Sequence, residues 1–358
     1  MHDKKNKYIY FVLHSLNRIF AIMKKHFPAC YVELPPFCEG RRAAFYLATE
    51  EYVAEHLPEG CYFLTWIVGP TVVMGRNQVM HQEVNLDFCC TEGIDIIRRR
   101  SGGGAIFADE QNIMTSLITE DAPVEPLFQE YAETVSSALC RLGAPVQVSG
   151  RNDIVLSDEK RKICGNAFYK KANHCIVHGT MLYDTDPRRM EGALHPDINK
   201  LESKGIKSVR SRVGVLKDYL PYDVATLRQQ LRQQLCDNCI ALSDADIHII
   251  ERLEQRYYQP DYLYGSSNHA DIVRSGRIEG VGNLEIRLLL QGSIISDVEI
   301  CGDFFAIDDA QAALRETLQG RPFSTDSIHQ AILRYHPERT IRGLSTSNFI
   351  AFLTQTTK

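Results

Sequence analysis

Three arginines run into three glycines in the stretch DIIRRRSGGGAIF, Asp95 to Phe107. Glycine lacks Cβ, so a glycine run lets the backbone approach a bound group closely and offers successive N–H groups as a nest for oxygen anions. The residues Gly93 to Arg99 read as a strand, and side chains alternate along a strand. Arg98 and Arg100 are therefore expected on one face and Arg99 on the other, so that at least one guanidinium reaches an anion beside the loop. No Gly-Lys-Ser/Thr follows, which excludes a Walker A loop, and the spacing is not G-x-G-x-x-G. A tight glycine turn among solvated arginines is the plainer alternative.

Two further stretches carry residues able to do chemistry. GRNDIV (Gly150 to Val155) precedes KICGNA (Lys162 to Ala167). A lysine on a strand, followed by a small Gly and Ala, can place its ammonium in a crowded site and neutralise a phosphoryl or carboxylate oxygen. Lys160, Arg161, Lys170 and Lys171 read instead as solvated turn residues. HGTML (His178 to Leu182) puts a histidine in an apolar strand, where a satisfied core residue is the plainer reading. His174, His195 and His269 lack ligand spacing, so no zinc-type metal site is expected.

These stretches need a scaffold, and the chain has the length for one. Its 358 residues suit one large domain and a smaller one, with 44% hydrophobic and 24% charged residues, as in ordinary globular proteins. Forty basic against 45 acidic residues give a net charge of −5, so no nucleic-acid partner is indicated and any basic site is local. Eleven cysteines without regular spacing speak against a disulfide scaffold and for a reducing, cytoplasmic setting. The C-x-x-C at Cys236 to Cys239 is expected in a helix, as packing rather than as a redox or zinc pair. Residues 1–30 read as an N-terminal extension. Its apolar run is broken by His14, Asn17 and Arg18, too short for a membrane span, and Met23 is an alternative start.

Periodicity supplies the rest of the frame. Arg41 to His56 reads as a helix, CYFLTWIV and TVVMGR as strands about a Gly69–Pro70 turn, and NIMTSLIT as a buried strand. Leu127, Tyr131, Val135, Ala138 and Leu142 mark a helix face that stops at Gly143. NDIVLS, KICGNAFYK and HCIVHGTMLY are strands, and Asp186 caps a short helix with Pro187 at its first position. Helices are expected over Asp223–Leu235 and Asp244–Tyr257. After YYQPDYLYGSSN, taken as a domain boundary, come a hairpin turning at Gln291–Gly292 and helices over Ala306–Leu318 and Thr325–Tyr335. The expected units are 31–257 and 258–358.

EEYVAE, GPTVVMGRNQ, RRRSGGGAIF, GRNDIV, KICGNA, HGTML and KGIKSVRSRV, in this order, closely resemble the bacterial ATP-dependent lipoate-protein ligases. The resemblance is close over Phe37 to Leu220 and weaker through the tail. It implies an α+β fold: a mixed-sheet catalytic domain of the lipoate/biotin ligase, class II synthetase-like type, with a small C-terminal α+β accessory domain. It implies activation of free lipoate by ATP, with magnesium as part of the nucleotide substrate, to lipoyl-AMP. The acyl group then passes to a lysine of an apo lipoyl domain of a 2-oxoacid dehydrogenase E2 subunit or of the glycine-cleavage H protein. By motif, Arg99 and the run Gly104, Ala105, Ile106 and Phe107 match nucleotide-holding positions, and the glycine loop, Ser101, Gly102 and Gly103 included, also lines the lipoate tunnel. Lys162 matches the lysine that touches both the adenylate phosphate and the acyl carbonyl. Asp153 either holds magnesium or orients Lys162, and His178 completes the candidate set. The segment Asp186 to Ser208 matches the loop closing over the adenylate, with Lys200, Lys204, Lys207, Arg210 and Arg212 free to clamp nucleotide or meet an acidic acceptor. Trp66, Val73 and Ile106 are expected to wall an apolar slot for the acyl chain.

The chain departs from the family pattern at Ala108-Asp109-Glu110-Gln111-Asn112, where His-Asp-x-Gly-Asn is common, and at Val177, where a second histidine is frequent. Its nearest rival reading is an octanoyl- or lipoyl-transferase of the same fold. Such an enzyme needs a cysteine nucleophile and no ATP, and Cys164 and Cys175 are the thiols to examine. A biotin-protein ligase has a differently ordered glycine-arginine loop, and a non-catalytic acyl-binding protein does not need Lys162.

Overall fold

The computed structural model describes residues 29–150, 153–158, 161–195, 213–265 and 270–354. Fourteen strands are described: β1 (Ala29–Glu33), β2 (Tyr62–Trp66), β3 (Thr71–Met74), β4 (Asp95–Arg98), β5 (Ile106–Ala108), β6 (Asn112–Glu120), β7 (Val146–Ser149), β8 (Asp153–Leu156), β9 (Lys162–Lys171), β10 (His174–Leu182), β11 (Cys236–Ala241), β12 (Ile272–Ile278), β13 (Gly282–Gln291) and β14 (Ile294–Gly302). Eight of them form one mixed sheet in the order β11-β1-β2-β6-β10-β9-β8-β7, parallel at β11-β1-β2 and antiparallel beyond. Beside it lies a small sheet, β4-β3-β5, and the last three strands make a separate meander.

Helices cover the main sheet. Val124–Leu142 turns Leu127, Tyr131, Val135 and Ala138 into the core and ends at Gly143, whose φ of 109° suits glycine. On the opposite side, Ala43–His56 is buried almost all round, because the helix Asp244–Glu254 covers its outer face. Its alanines suit that position; its two fully buried glutamates, Glu50 and Glu51, do not, and each must be satisfied by partners.

The periodic segments fold as their patterns require. Asp186 caps Pro187–Ala193 by accepting from the Arg188 N–H, and Asp223 does the same for Val224–Leu235 through Thr226. The C-x-x-C expectation is corrected: the helix stops at Leu235 and Cys236–Ala241 is the edge strand β11, paired in parallel with β1. Sheet pairing outweighs the weak local helix preference there. The helix expected from Ala306 starts at Ala310, since Asp309 caps it and Ala306 bridges to Ile341.

The tail has its own core of Leu284, Ile286, Leu288, Phe304, Leu314 and Ile332 between the meander and the helices Ala310–Leu318, Thr325–Tyr335 and Thr346–Thr354. It is seated on the glycine loop. Gly103 donates its N–H to the Phe304 carbonyl at 3.1 Å, and Gly302 donates to the Asn77 carbonyl at 2.8 Å. Phe305 enters the core of the main domain, stacked on Phe168 at 6.1 Å. Arg342 pairs with Glu125 and lies 5.2 Å over the Phe128 ring. No described helix is long and apolar enough to cross a membrane.

Candidate active site

A cavity of about 480 Å³ opens between the two sheets of the main domain and the tail. Its lining includes the apolar Leu47, Trp66, Val73, Ile106, Met114 and Leu182 and the polar Asp153, Lys162, Asn166 and Thr180, together with the glycine loop. A cavity lined by both kinds of residue suits a ligand with an apolar part and a charged part.

The expected slot residues Trp66, Val73 and Ile106 line it, as do Arg99, Gly103, Gly104, Ala105, Ile106, Phe107, Asp153, Lys162 and His178. Ser101 and Gly102 stand behind this wall. Ser101 is fully buried, and a Cβ on Gly102 would collide with the Phe304 carbonyl of the tail. The adenylate-loop candidates Lys200, Lys204, Lys207, Arg210 and Arg212 lie outside the described residues, as does nearly all of the N-terminal extension.

The three arginines are not solvated. Arg98 donates to the carbonyls of Gly75, Arg76, Gln78 and Leu263. Arg99 uses its Nε on Ser101 Oγ at 2.8 Å and its terminal nitrogens on the carbonyls of Val73, Gly102 and Gly104, each within 2.9 Å. Three of its five N–H donors thus shape the glycine loop, and a fourth ties it to β3. Burial lowers its pKa to about 10, which leaves it charged at neutral pH. Arg100 pairs with the buried Glu51 at 2.7 Å, and Lys171, expected in solvent, joins the same carboxylate at 3.2 Å.

Lys162 begins β9, and its Nζ lies 2.7 Å from Asp153 Oδ1 at the start of β8. The pairing register slips here, Ile154 opposing Cys164 while Val155 opposes Lys162. Ile163 is the extra, unpaired residue, and a bulge there breaks the alternation that would otherwise set the direction of the neighbouring Lys162. The lysine arm then lies over Gly165, where an added Cβ would stand 2.6 Å from Lys162 Cε. The lysine-to-glycine spacing of KICG therefore has a steric reason: the glycine is the floor on which the ammonium rests.

The thiols of the rival reading are placed as core. Cys164 is fully buried, and burial raises its pKa to about 12 despite the nearby Lys162. Burial also raises Cys175, whose Sγ donates to the Ala122 carbonyl. Neither has the electropositive, accessible setting of a nucleophile.

Residues 42–236 match the model of the lipoyl protein ligase A/B catalytic domain, and residues 267–353 match that of the bacterial lipoate protein ligase C-terminus. The chain belongs to the lipoyl protein ligase A/B family. The lipoate-protein ligase LplJ of Bacillus subtilis is 33% identical over 318 residues, covering 85% of this chain and 94% of that protein. Lipoate–protein ligase 1 of Staphylococcus aureus is 33% identical over 298 residues, covering 81% and 90%. Among solved structures, P. falciparum LipL1 in complex with lipoate superposes with a TM-score of 0.73 at 18% identity, over 90% of this chain and 97% of that one. Lipoate-protein ligase A bound with ATP superposes with a TM-score of 0.55 at 20% identity, over 66% and 98%. At these identities the two structures bear on the fold, which is the α+β fold of this ligase family.

Three features of the cavity had no motif to announce them. Arg277, Glu279 and Phe305 come from the tail and line the same space. A contact made across more than a hundred residues leaves no local spacing to read.

Proposed function

We propose that this protein is an ATP-dependent lipoate-protein ligase, with residues 31–257 as its catalytic unit and 258–358 as its accessory unit. The observation that carries the reading is that Lys162, held by Asp153, lines one cavity with Trp66, Val73 and the glycine loop. The acyl chain lies in the slot beside Trp66 and Met114, and its carboxylate emerges beside Lys162. An oxygen of that carboxylate attacks the α-phosphorus of ATP, one O–P bond forms, and pyrophosphate leaves with the broken one. Two anions meet in this step, so a fixed ammonium stabilises the transition state far more than a solvated one. Magnesium enters as part of the nucleotide substrate.

In the second half-reaction the ε-amine of an acceptor lysine attacks the acyl carbonyl carbon. The C–O bond to the phosphate breaks, AMP departs, the nitrogen sheds one proton to solvent, and Lys162 stabilises the transient oxyanion. Gly104, Ala105, Ile106 and Phe107 hold the nucleotide through their backbone, while Arg99 keeps that backbone in shape. Asp153 orients Lys162. The acceptor is an apo lipoyl domain of an E2 subunit or the H protein. A cytoplasmic setting fits these substrates.

The test is intact-mass spectrometry of an apo lipoyl domain incubated with the protein, free lipoate and magnesium, with and without ATP. Acylation that requires ATP and is lost in Lys162→Ala is the expected result. Transfer from an acyl carrier protein without ATP, abolished by Cys164→Ala, would overturn the reading in favour of the transferase.

A further inference from the structure

Glu50 sits in the middle of the Ala43–His56 helix with no solvent exposure, outside the cavity wall, and no ligand-holding motif includes it. Three donors converge on it. Ser116 Oγ donates to Oε1 at 2.5 Å, Tyr169 OH donates to Oε2 at 3.3 Å, and His178 Nδ1 lies 3.1 Å from both oxygens. A carboxylate only accepts, so His178 Nδ1 carries the proton that faces Glu50. Ser101 Oγ lies 2.6 Å from His178 Nε2. Ser101 Oγ also accepts from Arg99 Nε at 2.8 Å. One path of hydrogen bonds thus runs from Arg99 through Ser101 and His178 to Glu50, and it starts at the arginine that grips the carbonyls of Gly102 and Gly104.

The other branch leads to the acyl slot. Ser116 gives its proton to Glu50 and accepts from Trp66 Nε1 at 3.0 Å. Trp66 lines the slot and stacks on Tyr46 with ring centroids 5.0 Å apart. Glu50 is therefore the shared terminus of two paths, one to the glycine loop and one to the slot wall.

We infer that Glu50 is a positioning residue that sets the acyl slot in register with the glycine loop, acting through His178–Ser101–Arg99 on one side and Ser116–Trp66 on the other. The role rests on the ligase reading and adds to it, since in-line attack needs the carboxylate and the phosphate placed to within a fraction of an ångström. A misplacement of about 1 Å lowers such a rate by up to about a hundredfold. Gln at position 50 keeps the volume but has a single acceptor oxygen and an amide that donates. With its oxygen toward Ser116, its amide nitrogen takes the position 3.1 Å from His178 Nδ1, donor against donor, and the charge that oriented the imidazole is gone.

The experiment measures lipoate-dependent ATP–pyrophosphate exchange in wild type, Glu50→Gln, Ser101→Ala, the double variant, and Tyr169→Phe, with thermal melts on each. Expected are a roughly tenfold or larger fall in kcat for Glu50→Gln, with KM for ATP within about threefold, and little change for Tyr169→Phe. The double variant should be no worse than the more damaged single one, because both cut one path. Additive losses, or Glu50→Gln within about twofold of wild type, overturn the inference. Should Glu50→Gln fail to fold, the cycle is run with His178→Gln and Ser101→Ala at the far end of the same path. Exchange absent from wild type would refute the ligase reading itself, which the variants alone cannot do. Nitrogen NMR of the wild-type imidazoles, assigned by loss of a signal in His178→Gln, is independent of activity. A proton on Nε2 rather than Nδ1 would overturn the path.

Discussion

Replacing Gly165 by alanine separates the position of Lys162 from the stability of the fold. Gly165 lies within β9, opposite Asp153 on one side and Thr180 on the other, with no positive φ, so alanine adopts its backbone. The atoms its Cβ would meet are the end of the Lys162 side chain, with Cε at 2.6 Å. Carbon atoms pack at about 3.5 Å or more, so the arm must retreat by roughly 1 Å. A flexible lysine can do this, and the backbone is not pushed. The Lys162–Asp153 pair is partly exposed, and its loss is worth at most about 1 kcal/mol. Alanine gains back about 0.4–1 kcal/mol by restricting the unfolded chain. Stability should therefore stay within about 1 kcal/mol of wild type, a Tm shift of no more than about 4 °C. Catalysis should not survive, because a donor withdrawn from a developing oxyanion lowers kcat by about 10²–10³. The assay pairs a thermal melt with the rate of ATP-dependent lipoylation. Activity within about threefold of wild type would refute the argument that this ammonium must rest on the glycine floor. Unfolding would refute the claim that the lysine yields before the sheet does.

Three other outcomes are expected. Arg342→Ala removes the ion pair to Glu125 and the cation over Phe128, loosening the seat of the tail by about 1–3 kcal/mol; an increased radius of gyration in small-angle scattering is expected, and an unchanged one speaks against the seat. With its pKa near 12, Cys164 is about one part in 10⁴ thiolate at pH 8, a fraction that rises with pH. Iodoacetamide should then label the exposed Cys90, Cys140 and Cys239 first, and early labelling of Cys164 by peptide mapping would revive the thiol-transferase reading. Trp66 is the sole tryptophan and lines the slot, so lipoate, whose disulfide quenches indoles on contact, should reduce its emission more than octanoate does. Equal quenching by both acids would place the dithiolane elsewhere.

Sequence alone carried the elements whose patterns are local. Apolar runs marked β6, β9 and β10, alternation marked the β13–β14 hairpin, and helical spacing with Gly143 as its stop marked Val124–Leu142. The chemistry-bearing loops were legible too, because Arg98–Gly104 and Lys162–Gly165 combine residue types that have steric and electrostatic reasons to be adjacent. Tertiary structure decided what each of these residues touches. The alternation rule set Arg98 and Arg100 against Arg99, but β4 ends at Arg98, and it is backbone carbonyls and Glu51 that hold the three guanidinium groups. Cys236–Ala241 is a strand because β1 is beside it, a partner two hundred residues away. Glu50 and Glu51 look like the solvent side of a surface helix, and only the helix Asp244–Glu254 and the sheet on either side make them interior. Burial is a property of what packs against a residue, and a chain read in order does not contain it.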